Sequence, residues 1–316
     1  MIKKKLISIG IPCFNEEKNV VQIYIALKKI THRLTKYSFE YIFVDNGSAD
    51  KTAENIKKLA QKDSSLVGVF LSRNFGPEAS LQAILDHVSG DAFIGIPCDF
   101  EDPPELIPEF IKKWEQGNNI VAGVYTKSED DIFTSLLRKA FYGIFKRISN
   151  IDIPVNASGV GLLDKKSLQA LNSLPEKYRF YRGLRAWIGF KTAYIKYTRK
   201  KRTVGKSSYS MLSYFRHAER GVFGFTYLFL DIIIYLGFIL VLLSFLFIGI
   251  YIIFALLYSN PIKGSITILV AIVFFGGVQL LAISVIGKYI QVIAEETKNR
   301  PMYIIEDTIN YAKFKI

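Results

Sequence analysis

Two long apolar stretches in the C-terminal third restrict the possible folds of this 316-residue chain more than any other feature. Between Leu228 and Leu257 the only charged residue is Asp231, and residues 265–287 carry no charge. A membrane-spanning helix needs about 20 consecutive apolar residues, and helices of soluble domains rarely stay uncharged on every face. The sequence therefore predicts two transmembrane helices, over 228–257 and 265–290, joined by a short turn.

Basic residues lie on the outer flanks of this predicted hairpin. Eight Lys and Arg residues occur from Lys196 to Arg220 against one acid, Glu219, whereas the connector between the helices carries only Lys263. Because positively charged flanks stay in the cytoplasm, we expect both ends of the hairpin there. The segments on that side are a basic juxtamembrane stretch, 206–227, and a C-terminal tail, 291–316.

The composition narrows the class of protein further. Half of the chain is hydrophobic, and 41 Lys and Arg against 28 acids give a net charge of +13. These values argue against a disordered, fibrous or disulfide-stabilised chain, and two Cys with three His make a structural zinc site unfavourable. The basic excess favours phosphate ligands, an anionic membrane surface, or both. Nucleic acid is a poor partner, because the basic stretch adjoins a membrane span.

The soluble part alternates between strand and helix patterns. Such alternation predicts an α/β fold with a mostly parallel sheet and helices on both faces. The predicted strands are 6–11, 39–44, 66–71, 92–96 and 120–124, and the predicted helices are 15–29, 49–62, 78–88 and 104–115.

Polar side chains follow these strands, at the sheet edge where ligands bind in folds of this kind. Asp45 comes after the second strand, and Asp99, Glu101 and Asp102 come after the fourth. The carboxylates of the 99–102 cluster suit Mg²⁺ or Mn²⁺ bridging a diphosphate, although Asp102 is equally suited to cap the following helix. Asp45 could accept hydrogen bonds from a base or a ribose, or it could simply be a turn residue. The chain has no Gly-x-Gly-x-x-Gly and no Walker A sequence, which argues against dinucleotide oxidoreductases and P-loop enzymes.

Basic residues later in the soluble part are candidates for phosphate binding, because guanidinium groups pair well with phosphate oxygens. Each of them is equally suited to be a solvated or lipid-facing charge. They are Arg179, Arg182, Arg185, Arg199, Arg202 and Lys206.

Eight short motifs occur in a fixed order along the chain. They are Pro12-Cys-Phe-Asn-Glu-Glu17, Phe43-Val-Asp-Asn-Gly-Ser48, Leu71-Ser-Arg-Asn-Phe-Gly76, Asp99-Phe-Glu-Asp-Pro-Pro-Glu105, Tyr181-Arg-Gly-Leu184, Trp187-Ile-Gly-Phe190, Arg199-Lys-Lys-Arg202 and Gly205-Lys-Ser-Ser-Tyr209. With the two apolar stretches and the tail around residues 295–303, this set resembles the family 2 glycosyltransferases that load a polyprenyl phosphate with a sugar, the branch of bactoprenol glucosyltransferase and dolichyl-phosphate mannose synthase.

The resemblance implies a GT-A nucleotide-diphospho-sugar transferase domain over residues 1–205, in the cytoplasm, followed by the hairpin in the inner membrane. It implies a UDP- or GDP-sugar donor, a polyprenyl (undecaprenyl) phosphate acceptor and bound Mg²⁺ or Mn²⁺. It also assigns roles: Pro12, Phe14, Glu16 and Asp45 around the nucleotide, Asp99 and Glu101 on the metal, and Arg199, Arg202 and Lys206 near the diphosphate or lipid phosphate.

Two positions depart from the family pattern. Pro97 stands where the family has the first Asp of its metal motif, and Gly159 stands where the family has the Asp assigned as catalytic base. A sugar hydroxyl benefits from a base by roughly 10²–10⁴ in rate, whereas a phosphate monoester is already largely ionised at neutral pH. An enzyme without that base is therefore plausible for a lipid phosphate and much less so for a sugar acceptor.

Three functions remain compatible with the sequence. The leading hypothesis is transfer of a sugar to polyprenyl phosphate. The second is transfer to a lipid-linked sugar, and the third is an inactive homologue that acts as a membrane scaffold or partner subunit. Pro97 and Gly159 favour the third. The residues that disfavour it are the retained Asp45, Asp99, Glu101, Arg199 and Arg202. The sugar, the nucleotide and any homo-oligomer stay open.

Overall fold

The computed structural model describes residues 4–127, 143, 153–154, 156–177, 179–200, 226–257 and 265–311. Contacts divide the chain into two compact units, and each is described by itself. The first contains residues 1–221 together with 299–316, and the second contains residues 222–298.

The first unit alternates strands and helices through most of its length. Its elements are β1 (Lys5–Cys13), α1 (Val20–Thr31), β2 (Tyr37–Asp45), α2 (Thr52–Lys62), β3 (Leu66–Leu71), α3 (Pro77–Asp86), β4 (Ala92–Gly95), a 3₁₀ turn (Pro104–Leu106) leading into α4 (Ile107–Glu115), β5 (Ile120–Lys127), β6 (Ala157–Asp164), α5 (Lys165–Asn172), α6 (Tyr181–Trp187), β7 (Thr192–Thr198) and, after the second unit, β8 (Ile305–Ile309).

The eight strands form one mixed sheet in the order β7-β5-β6-β4-β1-β2-β3-β8. The pairs β1–β2, β1–β4, β2–β3 and β5–β7 are parallel, and β6 and β8 run antiparallel to their neighbours. The register places Cys13 beside Asp45, so the ends of β1 and β2 lie together. The sheet confirms the predicted α/β class and its mostly parallel GT-A-like arrangement.

The core of this unit is built from strands that are buried on both faces and largely apolar, with the polar Ser8 and Glu40 buried in β1 and β2. Ile7, Ile9 and Ile11 of β1 are fully buried, and they cluster with Ile23 of α1 and Phe110 of α4. Burial of one such side chain contributes about 1.5–3 kcal/mol. Continuous apolar strands of this kind are typical of parallel sheets covered on both sides, which explains why β1 to β3 are recognisable in the sequence.

Two predicted segments differ from the sequence-based expectation, and β6, α5, α6 and β7 lie beyond residue 124, where no element of the soluble part was predicted. Helix α1 begins at Val20 and not at residue 15, because residues 14–19 form a turn in which Asn15 has a φ of 55° and the carbonyl of Glu16 accepts from the amides of Asn19 and Val20. The segment 291–316, expected as a tail, contains β8, which pairs with β3. Pairing with so distant a strand leaves no local sequence pattern.

The second unit contains two long apolar helices, α7 (Leu228–Leu257) and α8 (Ser265–Thr297). Both are long and apolar enough to cross a membrane, and 18-residue windows within Leu228–Phe254 and Ala271–Thr297 have mean hydropathies of 2.8 and 1.9. A helix of 30 residues is about 45 Å long, which exceeds the roughly 30 Å of a bilayer core. Their apolar side chains are largely exposed, as Leu256 is at 81%, and this pattern suits a lipid environment.

Candidate active site

The loops after β1 and β2 are joined by hydrogen bonds into one rim of the sheet. The amide of Asn15 donates to the Ser48 hydroxyl at 2.8 Å, and the Asn15 side-chain oxygen accepts from the amide of Ala49 at 2.9 Å. At the next residue of the β1 loop, the amide of Glu16 donates to the hydroxyl of Thr52 at 2.8 Å. The positive φ of Asn15 is one that Asn adopts more readily than most residues. The two loops are thus held as a single surface.

Asp45 lies at the centre of this rim. It is the last residue of β2 and only 3% exposed. Its carboxylate accepts hydrogen bonds from the hydroxyl and the amide of Ser48. Burial raises the pKa of Asp45, and the Ser48 hydrogen bonds partly oppose that shift. A carboxylate held in this way, at the end of a central strand, can accept hydrogen bonds from a base or a ribose.

Asn46 fixes the neighbouring loop, 72–76, and was not singled out in the sequence. Its side-chain amide donates to Asn74 Oδ1 at 3.0 Å and to the carbonyl of Gly76 at 3.1 Å, and its oxygen accepts from the amide of Phe75 at 3.0 Å. Gly47, with φ at 69°, packs so tightly that a Cβ would lie 2.5 Å from the carbonyl carbon of Arg73. The Asp45-Asn-Gly-Ser48 motif therefore forms a turn and also holds the 72–76 loop in place.

The acidic motif after β4 forms a compact loop. The Asp99 carboxylate accepts the amide of Glu101 at 3.1 Å, and Phe100 has a φ of 60°, a conformation that bulky residues rarely adopt. Asp102 is 5% exposed. Burial raises the pKa of Asp102, and the positive charge of Arg199 opposes that rise. Within the described ranges, Asp102 makes no hydrogen bond to the helix that follows; its contacts are with Tyr197 on β7 and Arg199 just after it.

Arg199 is tied to this acidic motif rather than pointing away from it. Its Nη2 lies 2.5 Å from a Glu101 carboxylate oxygen, and its Nε lies 3.6 Å from Asp102 Oδ1. The Tyr197 hydroxyl also donates to Asp102 Oδ1, a contact that the sequence did not indicate. Tyr197 and Arg199, at the end of β7, thus hold the acidic loop against the far edge of the sheet.

The fit of a divalent metal rests on two carboxylates. Mg²⁺ in nucleotide sites is commonly held by one or two protein carboxylates together with substrate phosphates, so Asp99 and Glu101 satisfy the minimum. Glu101 already pairs with Arg199, and a guanidinium competes with a cation for the same oxygens. Within the described ranges, no three His, Cys, Asp or Glu side chains come together as a metal site. Asp99 is therefore the better-placed ligand of the two.

Gly159 leaves open space where a side chain could stand. It is an exposed residue of β6, and apart from Gly159 itself and its two chain neighbours, no atom of the described residues lies within 4 Å of the position that a Cβ would occupy. Its neighbour Ser158 accepts a hydrogen bond from Arg185 through its carbonyl at 3.0 Å. A positively charged side chain thus lies next to the position where the family pattern has an acidic residue.

The remaining predicted site residues fall into three groups. Pro12 and Phe14 are half-buried at the end of β1, and Glu16 is 9% exposed and accepts the Asn19 side-chain amide at 2.6 Å. Arg179 is 5% exposed and donates to Gln82 and to backbone carbonyls, so it is a structural residue and not a phosphate ligand. Arg202 and Lys206 lie outside the described residues.

Comparison with known proteins points to one family. The sequence profile described as "Glycosyl transferase family 2" matches residues 8–171. An uncharacterized glycosyltransferase of Synechocystis is 36% identical over 302 residues, covering 95% of each chain. A prophage-derived bactoprenol glucosyl transferase of Shigella flexneri is 36% identical over 301 residues, covering 95% of this chain and 97% of the relative. The crystal structure of mannosyl-3-phosphoglycerate synthase from Rubrobacter xylanophilus is similar with a TM-score of 0.46, at 16% identity, covering 68% of this chain and 71% of that one.

Proposed function

This chain belongs to glycosyl transferase family 2, and on that premise we propose that it transfers a sugar from a nucleoside-diphosphate sugar to a polyprenyl phosphate at the cytoplasmic face of the inner membrane. The observation that carries the proposal is the identity of 36% to a bactoprenol glucosyl transferase, which extends over 95% of this chain. That match includes the two apolar helices, so the acceptor and its lipid environment are proposed together with the sugar transfer.

The donor nucleotide binds, in this proposal, on the rim formed by the loops after β1 and β2. Asp45 accepts hydrogen bonds from the ribose or base, and Pro12, Phe14 and Glu16 surround it. The burial of Asp45 and its contacts with Ser48 support this role, because a pre-positioned carboxylate loses little freedom when the donor binds.

Asp99, with Glu101, is proposed to hold Mg²⁺ or Mn²⁺. When bound there, the metal would neutralise charge on the departing nucleoside diphosphate. Asp99 supplies the primary carboxylate. Glu101 contributes when its pairing with Arg199 loosens, and the freed guanidinium is then available to a phosphate.

Gly159 and the basic residues define the acceptor side of the proposed reaction. An oxygen of the acceptor phosphate forms a bond to the sugar's anomeric carbon while the bond from that carbon to the donor diphosphate breaks. A phosphate monoester with a second pKa near 6 is already ionised, so no side chain at position 159 is needed to remove a proton. Arg199, Arg202 and Lys206 are proposed to compensate its charge.

The same geometry makes a lipid-linked sugar a weaker acceptor. Its hydroxyl would gain roughly 10²–10⁴ in rate from a general base, and the position that the family uses for that base is Gly159. The lack of a carboxylate at position 159 therefore favours an acceptor that brings its own negative charge.

The deciding experiment compares two lipids that differ only in the phosphate. Membranes containing the full chain are incubated with a panel of labelled nucleotide sugars and either undecaprenyl phosphate or undecaprenol. We expect labelled lipid with the phosphate and none with the alcohol. Label on the alcohol would contradict the proposed acceptor, and no label from any donor would contradict the proposed transfer.

A further inference from the structure

We infer that the exposed side of residues 187–200 contacts the headgroups of an anionic lipid bilayer. This segment starts at the last residue of helix α6 and includes strand β7. Its first motif, Trp187-Ile-Gly-Phe190, has no part in the proposed reaction. The inference rests on the proposed membrane location and is independent of the proposed chemistry.

Trp187 presents a large apolar surface to the outside of its helix. Helix α6 buries Tyr181 and Leu184, whereas Trp187 at its end is 58% exposed. One exposed apolar residue is ordinary on a protein surface. Trp differs from other apolar residues because its ring is amphipathic, and it is enriched where a membrane meets water.

Strand β7 adds a second aromatic residue on a polar face. Ile195 and Tyr197 are 2% and 7% exposed, whereas Tyr194 is 46% exposed and Lys196 and Thr198 are also exposed. Because side chains alternate along a strand, the last three lie on one side. Strand β7 is an edge strand of the described sheet, so these three exposed side chains lie at the edge of the unit.

The charge of the segment selects an anionic partner. No Asp or Glu occurs between Glu176 and Glu219, and Lys191, Lys196 and Lys200 are all exposed. Lysine stems lie along apolar surface while their ammonium groups reach phosphate oxygens. Exposed Trp and Tyr combined with Lys match the headgroup layer of a membrane rich in anionic lipid. Single-stranded nucleic acid fits the same residue types less well, since the chain also carries two membrane-length helices.

The chain offers a matched pair of reporters, because it contains two Trp residues. Trp114 lies on α4, with its ring centroid 6.3 Å from that of Tyr37 and the Lys5 ammonium 4.8 Å from its ring. Trp114→Phe leaves Trp187 as the only Trp, and Trp187→Phe leaves Trp114. Each full-length variant is reconstituted into phosphatidylcholine–phosphatidylglycerol vesicles that contain phospholipid brominated near the glycerol backbone.

We expect bromine to quench the emission of Trp187 in the first variant and to leave the emission of Trp114 in the second nearly unchanged. Lys196→Glu with Lys200→Glu should reduce the quenching of Trp187, whereas Lys29→Glu with Lys166→Glu, on α1 and α5, should not. Equal quenching of both Trp residues, or none at Trp187, would overturn the inference. If Trp114→Phe fails to fold, the loss of wild-type quenching in Trp187→Phe gives the same answer.

Two parallel measurements separate this inference from the proposed function. Co-sedimentation of the full chain with vesicles reports the membrane location, and labelled transfer reports the reaction. A chain that sediments and transfers sugar without quenching of Trp187 overturns only the inference. The nucleic-acid alternative is tested with vesicles of phosphatidylcholine alone. If added single-stranded RNA abolishes the quenching of Trp187 there, nucleic acid is the preferred partner, and that result would equally overturn the inference.

Discussion

At the scale of a single residue, Asp45 combines a stability cost with the proposed role in donor binding. Burial raises the pKa of Asp45 above its ordinary value. A carboxyl whose pKa is raised in the folded state destabilises that state when it is ionised, and the penalty is relieved as pH falls through the raised pKa. The folded protein therefore carries this cost at neutral pH, as functional sites commonly do.

Asp45→Asn should keep or raise the unfolding midpoint at neutral pH and weaken donor binding. Loss of a charge-assisted hydrogen bond of about 1.5–3 kcal/mol corresponds to about a 10- to 100-fold weaker affinity, measurable by titration with the nucleoside diphosphate. Asp50→Asn in the same loop is the control for the effect on stability. Burial would raise the pKa of Asp50, but hydrogen bonds from Thr52 outweigh burial and lower it, so that variant should be less stable. Unchanged donor affinity in Asp45→Asn would remove Asp45 from the site.

Asp99 tests the proposed metal. Asp99→Asn keeps the shape of the side chain and removes its charge, so we expect transfer to fall at least 100-fold, on the order of 3 kcal/mol of transition-state stabilisation. The stimulation of transfer by Mn²⁺ should be lost as well. Glu105→Gln is the matched control, because Glu105 is exposed in the same segment. Full metal-dependent activity of Asp99→Asn would refute the assignment.

Gly159 leads to a prediction about pH. If the acceptor phosphate supplies its own negative charge, single-turnover transfer should rise with pH to about its second pKa near 6 and then level off. Gly159→Ala should fold and transfer normally, since none of the described residues beyond its chain neighbours comes within 4 Å of the added Cβ. A rate that keeps rising well above about pH 7 would instead indicate an ionising group of the enzyme.

At the scale of secondary-structure elements, β8 joins the C-terminal segment to the sheet. Asn310, directly after β8, donates to the carbonyl of Ala60 at 2.7 Å and to that of Leu66 at 2.9 Å. Lys57 pairs with Asp307 at 2.7 Å, and the Tyr303 hydroxyl donates to Asp86 at 2.6 Å. The segment after α8 is thus part of the α/β unit and not a free tail.

Two substitutions at Asn310 separate the hydrogen bonds from the backbone conformation. Asn310 has a φ of 63°, which Gly adopts without strain. Asn310→Gly should lower the free energy of unfolding by about 1–3 kcal/mol through the unsatisfied carbonyls, and Asn310→Ala should lower it further because of the positive φ. Denaturant unfolding in detergent measures both. Equal stability of wild type and both variants would show that β8 does not hold the unit together.

At the scale of the whole molecule, chain connectivity constrains the topology. Residues 4–127, before the two helices in sequence, and residues 299–311, after them, belong to the same unit, and one folded unit lies on one side of a membrane. If both helices span the membrane, the chain must therefore enter α7 and leave α8 on the same side. This agrees with the positive charges on the two flanks, which are expected in the cytoplasm.

Reporter fusions after Ile316 test that topology. Green fluorescent protein at this position should fluoresce, and alkaline phosphatase at the same position should be inactive, because the two reporters fold on opposite sides of the membrane. A phosphatase inserted in the connector, 258–264, should be active. Active phosphatase at the C-terminus would contradict two spans with cytoplasmic ends.

The sequence by itself determined the class of fold, the positions of the first five strands along the chain and the two apolar helices. These features follow from local periodicity, from continuous apolar runs and from turn residues such as Gly47. The order of the motifs was sufficient to indicate the family. It also marked Gly159 and Pro97 as departures, because a substitution at a recognised position is visible without coordinates.

Only the tertiary structure decided which side chains meet. The pairing of Arg199 with Glu101 and the contact of Tyr197 with Asp102 join segments that are almost 100 residues apart, and β8 reaches β3 from beyond the apolar helices. Arg179 matches the other basic candidates in sequence, yet it is buried among carbonyl groups. Such contacts depend on how strands and loops are brought together in space, and local periodicity in the sequence does not predict that arrangement.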